Sequence, residues 1–177
     1  TALNVFVFIG RLSPEKGIDT LIEAQSIAHI ELKVIGDGPL SARVNDAAAK
    51  SPALRALGRL PREQALRELS SARALVFPSV WQEGCPATIL EAMALGKPAI
   101  ASHVAGAAEL LEHEVNGLLF TPGNAAELAA CMKRLHDDSE FAARLGQAAR
   151  AKYEKEYSPD AGYARIGVIY KRLGIEV

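Results

Sequence analysis

Short runs of β-branched and aliphatic residues recur along this chain, each followed by a longer stretch whose apolar residues keep helical spacing. Val5–Gly10 (VFVFIG), Leu32–Pro39 (LKVIGDGP), Ala53–Leu60 (ALRALGRL), Ala74–Ser79 (ALVFPS), Lys97–Ser102 (KPAIAS) and Leu118–Phe120 (LLF) read as strands. Helices are predicted from Pro14, with Ser13 as cap, from about Leu40, from Pro61, from about Pro86 to Leu95 and around Ala107–Glu112. Ile18, Leu21, Ile22 and Gln25 share one helical face, as do Ala65, Leu66, Leu69 and Ala72. Two or three helices finish the chain, with Leu128, Met132 and Leu135 on one face and Tyr163, Ile166, Tyr170 and Leu173 on another. Strands that are apolar throughout have no face for water, so the sheet they form is covered on both sides. Helices between successive strands make that sheet parallel. The expected fold is therefore α/β, a Rossmann-like doubly wound parallel sheet of about six strands with helices on both faces. Ligands of such sheets bind outside the carboxyl ends of the strands.

The 177 residues suit one ordinary domain, and 49% apolar content fits a globular chain with a core. Twenty Lys and Arg against 21 Asp and Glu leave a formal net charge of −1, which gives no electrostatic footprint for nucleic acid or an anionic membrane. Cys85 and Cys131 are too few for a disulfide framework and lack metal-ligand spacing, so reduced thiols in a cytoplasmic protein are expected. No run reaches the length of a membrane span, and no signal peptide is visible. The chain starts at Thr1, almost directly on a strand pattern, and is expected to be a piece of a longer protein.

The residues that carry chemistry follow the strands. In "QEGCPATILEAMALG" (Gln82–Gly96), a helix starting near Pro86 or Ala87 leaves backbone N–H groups unpaired, and these with the helix dipole form an anion site. Glu83 lies just before that site and Glu91 about one turn into the helix. Carboxylates cannot bind the anion, but they can accept hydroxyl protons on either side of it. A diphosphate with a sugar at each end has that layout, although an acid near a helix start and a solvated helix glutamate would also account for the pair. In "GRLSPEKG" (Gly10–Gly17), Arg11 follows the first strand and Lys16 is placed in the first turn of the next helix, both at the carboxyl edge of the sheet. Arginine offers bidentate recognition of phosphate and lysine a mobile charge. Gly10 would allow the backbone close to a ligand. Glycine-rich dinucleotide and P-loop signatures are absent, and no D-x-D pair offers a metal–diphosphate clamp, since Asp137 and Asp138 are adjacent at a helix end. Of the four histidines, only His103 is placed to face the presumed site edge.

Together these stretches resemble the C-terminal, donor-binding half of a family 4 retaining glycosyltransferase of the GT-B fold. The resemblance runs through "GRLSPEKG", "LKVIGDGP", "LGRLPREQ", "ARALVFPS", "EGCPATILEAMALGKPAIAS" and "EVNGLLFTPGN", and its most specific part is the E-x₇-E of Glu83 and Glu91. It implies transfer of a hexosyl group from a UDP-, GDP- or ADP-sugar to an acceptor hydroxyl, with retention and without a metal or other cofactor. Glu83 would accept donor-sugar hydroxyls and Glu91 those of the ribose. Arg11 and Lys16 would bind the diphosphate, backbone groups at Ala87 and Thr88 would add donors, and Leu60 would hold the base. Cys85 stands where the family often has Phe, which leaves the sugar pocket's shape open, and Pro86 has no N–H to give.

The resemblance further implies a nucleotide-sugar domain over 1–157 and a last helix within 158–177 that packs back on an N-terminal acceptor domain absent from this chain. The fragment is expected to bind nucleotide but transfer no sugar. Any membrane contact, peripheral at the inner membrane, would come through the missing domain, and a role in polysaccharide biosynthesis fits the style of the sequence. The alternatives are a GT-B nucleotide-sugar epimerase, which would need an acid/base pair beyond Glu83, and a non-catalytic nucleotide-binding module.

Overall fold

The computed structural model describes residues 4–172. In chain order these form β1 (Phe6–Ile9), α1 (Ile18–Ala28), β2 (Leu32–Ile35), α2 (Ser41–Lys50), β3 (Leu54–Gly58), α3 (Arg62–Ser71) and β4 (Ala74–Phe77). They continue with α4 (Ala87–Ala94), β5 (Ala99–Ser102), α5 (Ala105–Leu110), β6 (Leu118–Phe120), α6 (Ala125–Asp137), α7 (Ser139–Glu156) and α8 (Pro159–Arg172). The strands make one parallel sheet in the order β3-β2-β1-β4-β5-β6. The Rossmann-like doubly wound expectation is what the chain adopts.

Side chains alternate across the sheet and feed two cores. Phe6, Phe8, Val34, Val76 and Ile100 pack with Ile18 and Leu21 of α1 and with Leu128, Met132 and Leu135 of α6. On the other face Val7, Leu75 and Phe77 meet Leu69 of α3, Ile89 and Met93 of α4, and Ala107 and Leu110 of α5. Helix α7 spans both layers, with Phe141 and Leu145 in the first and Ala149 in the second. Covering both faces explains why the strands need no polar side. Asp138 ends α6 and caps α7, its carboxylate accepting from the Phe141 N–H at 2.8 Å.

Two boundaries depart from the sequence expectation. The helix predicted from Pro14 is broken: Pro14–Lys16 form a single 3₁₀ turn, Gly17 takes a left-handed conformation (φ 69°), and only then does α1 start. The break lets this turn lie against the loop after β4, where a Cβ on residue 17 would come within 1.9 Å of the Pro78 carbonyl oxygen. Lys16 therefore precedes the helix rather than opening it. Ser13 does not cap, because its hydroxyl donates to Glu15 Oε1 at 2.6 Å. The helix placed around Ala107–Glu112 starts two residues earlier, after Val104.

Helix α8 leaves Tyr163 (75%), Ile166, Val168 and Tyr170 exposed. Leu173, the last residue of its expected apolar face, lies outside the described residues.

Ala at position 17 combines an unfavourable left-handed φ with a backbone clash. Gly17→Ala is expected to destabilise the chain by about 2–4 kcal/mol, seen as a lower urea midpoint at an unchanged m-value.

Candidate active site

The strand order reverses between β1 and β4, and there the loops leaving the carboxyl ends diverge. Two hollows open in this crevice. The larger, of about 660 Å³, lies toward α3 and is lined by Asp37, Leu60, Arg62, Leu66 and Glu91. The smaller, of about 400 Å³, lies toward the loop after β4 and is lined by Lys16, Phe77, Ser79, Glu83 and Cys85. Both have the same floor, made of Ile9, Gly10, Arg11, Ala87 and Thr88. All nine residues singled out in the sequence thus converge here: Gly10, Arg11, Ala87 and Thr88 on the floor, Leu60 and Glu91 on one side, and Lys16, Glu83 and Cys85 on the other.

The floor gathers backbone N–H donors and a cation. Helix α4 begins at Ala87, and its first internal acceptor is the Pro86 carbonyl, bonded by the Ile89 and Leu90 amides. The amides of Ala87 and Thr88 precede those bonds and belong to the unpaired donors at the positive end of the helix. Arg11 is exposed beside them, and among the described residues its guanidinium forms no ion pair.

Each glutamate is already met by a cation through one oxygen. Lys16 Nζ lies 2.6 Å from Glu83 Oε1, with side-chain exposures of 26% and 21%, and 5.9 Å from the centre of the Phe77 ring. Ser79 Oγ donates to the same Oε1 at 2.8 Å. Across the floor, Arg62 reaches Glu91 Oε1 with Nη2 at 2.7 Å and Nε at 3.2 Å. Lys16 is thus not a free cation over the floor, since it is engaged with the Glu83 carboxylate.

The loop carrying Glu83 is pinned from several sides. The Val80 N–H donates to the Glu15 carbonyl at 2.9 Å, and the Ala105 N–H, at the start of α5, donates to Gln82 Oε1 at 2.7 Å. The buried Ser102 hydroxyl donates to the Ser79 carbonyl. Gly106 of α5 lies so close that a Cβ there would come within 2.0 Å of the Glu83 carbonyl oxygen.

Sequence reasoning missed Ser79 and Arg62. Ser79 closes an apolar strand run and differs from any turn serine only by its burial. Arg62 reads as a solvated helix residue, and nothing in its spacing marks it. His103 does not face the site, because it lines a separate hollow with His113 and Glu127 beyond β6. Asp37, on the nucleoside-side wall, is held below the usual carboxylate range by hydrogen bonds from the Ser41 hydroxyl and the Gly38 amide. Among the described residues no group of three or more His, Cys, Asp or Glu is placed to hold a metal ion, and no helix is long and apolar enough to cross a membrane.

A parallel sheet whose switch point brings together unpaired helix amides, an arginine and two flanking carboxylates has the architecture of one half of a GT-B glycosyltransferase. The chain belongs to the family described as Glycosyl transferases group 1, whose profile matches residues 1–152. It is 34% identical over 178 residues to the amylovoran biosynthesis glycosyltransferase AmsK of Erwinia amylovora, covering 93% of this chain and 44% of that protein. It is 26% identical over 179 residues to the alpha-D-kanosaminyltransferase of Streptomyces kanamyceticus, covering 97% of this chain and 46% of that one. Among solved structures, Anabaena Alr3699/HepE in complex with UDP superposes with a TM-score of 0.85 at 26% identity, over 97% of this chain and 49% of the other. The sucrose-phosphate synthase of Thermosynechococcus elongatus gives 0.82 at 28% identity, over 96% and 45%. The chain therefore spans a little under half the length of these relatives.

The two thiols report on the site. Burial pushes the Cys131 thiol up to about 11, so it stays protonated and unreactive at neutral pH. Cys85 is exposed on the wall of the smaller hollow. A disulfide reagent at neutral pH is expected to label Cys85 first, with Cys131 reacting only as the pH approaches about 11. Mass spectrometry of the labelled peptides checks this order.

Proposed function

We propose that this chain binds the donor of a retaining, metal-independent hexosyltransferase of glycosyltransferase family 4, the donor being a nucleoside-diphosphate sugar. The observation that carries the reading is the shared floor. A diphosphate resting on Arg11 and the Ala87 and Thr88 amides projects one end into the hollow of Glu91 and the other into the hollow of Glu83. The apolar walls of Leu60 and Leu66 suit a base and ribose, with Glu91 accepting ribose hydroxyls. Glu83, Lys16 and Ser79 make a polar wall suited to a hexose. The HepE structures, solved with UDP and with UDP-glucose, support a uridine donor as the first to test.

In the proposed reaction the acceptor hydroxyl oxygen bonds the anomeric carbon, the bond to phosphate breaks with its electron pair staying on the phosphate oxygen, and the hydroxyl proton passes to that departing oxygen. Arg11, Lys16 and the α4 amides face that developing charge. One such donor is worth roughly 2.7–4 kcal/mol in a comparable oxyanion site. The acceptor site belongs to a preceding domain of the longer protein, against which the exposed apolar side chains of α8 pack, so this chain alone transfers no sugar. A place in polysaccharide biosynthesis agrees with the name of the amylovoran relative.

Thermal unfolding with UDP, GDP, ADP and CDP in EDTA tests the reading. A nucleotide that binds only the folded chain stabilises it by about 2.7 kcal/mol at one hundred times its Kd. One nucleotide is expected to raise Tm, with Arg11→Ala and Glu91→Gln each weakening it roughly tenfold or more, the scale of a hydrogen bond to a charged group. No shift with any nucleotide overturns the reading.

A further inference from the structure

We propose that Ser79 is a positioning residue for donor-sugar recognition, holding the Glu83 carboxylate so that a single oxygen is left for the sugar. The inference rests on the donor reading above and deepens it. Ser79 is 1% exposed and lies two residues past the end of β4, at the start of the loop that carries Glu83. Its hydroxyl has one proton and three acceptors within reach: Glu83 Oε1 at 2.8 Å, the Glu15 carbonyl at 3.1 Å and the Trp81 carbonyl at 3.4 Å. The carboxylate is both the nearest and the only charged acceptor, so the proton is directed there.

Lys16 Nζ takes the same oxygen from the opposite chain segment at 2.6 Å. With two donors on Oε1, rotation of the carboxylate would break both bonds. Among the described residues Oε2 makes no hydrogen bond, and it is the atom open to a ligand hydroxyl. Lys16 alone would hold Glu83 less firmly, because a lysine offers a point charge on a flexible stem. The buried serine, itself braced through its carbonyl by the Ser102 hydroxyl, supplies the fixed reference. Discrimination among hexoses that differ in one hydroxyl then depends on where Ser79 sets Oε2.

Calorimetry on this chain separates such a role from a purely structural one. The probes are the nucleoside diphosphate identified by the thermal series and its glucosyl, galactosyl and mannosyl esters. The ratio of the Kd values of diphosphate and best ester is the sugar's own contribution. Ser79→Ala is expected to leave diphosphate binding within about twofold while cutting the sugar's contribution roughly tenfold, the scale of a hydrogen bond to a charged group. In a Glu83→Ala background the serine substitution should then change nothing further, since two residues acting through one contact are not additive. Equal loss for diphosphate and ester, or a serine effect that persists without Glu83, overturns the proposal. So does a wild-type chain that binds the diphosphate but gains nothing from any sugar, which leaves the nucleotide reading standing. Failure to bind any diphosphate fails the donor reading itself and is visible before any variant is made.

Discussion

The reversal of strand order between β1 and β4 is the constraint on which the site depends. Crossovers from β1 run to one side of the sheet and those from β4 to the other, so no helix can cover the carboxyl ends where the two strands part. The space is filled by two loops, one opening with Gly10 and Arg11 and the other running from Pro78 to Pro86. Apart from one 3₁₀ turn neither has regular structure, and each is held in part by the other. The 3₁₀ turn of Pro14–Lys16 accepts the Val80 amide, Gly17 admits the Pro78 carbonyl, and Lys16 closes on Glu83. The second loop is also seated on α5 through Gln82 and Gly106. The sheet supplies the gap, and mutual packing of the loops supplies the precision.

The two ion pairs in the gap differ in how readily they are exchanged. Arg62–Glu91, with Arg62 77% exposed, is a pair of the kind that contributes roughly 0–1 kcal/mol, whereas Lys16–Glu83 is largely withdrawn from water. A ligand that offers hydroxyls to Glu91 loses little by sharing the exposed pair. With Lys16 paired to Glu83, Arg11 and the start of α4 supply the remaining positive charge on the floor, where both hollows meet.

Most of this was legible in the sequence because it follows from period and position. Apolar runs without a polar face, such as ALVFPS, and helical faces such as Leu128, Met132 and Leu135 give the layers and the parallel sheet. Once the sheet is parallel, residues directly after strands are brought to one edge, which is why Gly10, Arg11 and Glu83 could be grouped without coordinates, whereas Leu60 entered only through the family resemblance. What escaped depended on tertiary contact. Pro14 looked like a helix start because its local signals are those of one, and only the Pro78 carbonyl against Gly17 shows why the helix is delayed. Ser79 and Arg62 gain their roles from a carboxylate four and 29 residues away, a proximity that no spacing rule conveys. His103 follows a strand as the site residues do, but its amide donates to the Phe120 carbonyl of β6 and its side chain lines a hollow on that side.

The same division explains why a ligand class can be read from this chain more readily than a particular ligand. Phosphate recognition uses charge and unpaired helix amides, which residue type and position along the chain announce. The apolar wall of Leu60, Ala65 and Leu66 admits a flat base on size and polarity, again a property of residue type. Hexoses, by contrast, differ in the direction of single hydroxyls, and direction is set by the orientation of an acceptor. The orientation of Glu83 comes from a buried serine, a lysine on the facing loop, and a loop pressed between a 3₁₀ turn and a helix. On the proposed donor reading the choice of sugar rests on the angle of that one carboxylate, and the angle is a consequence of packing rather than of composition.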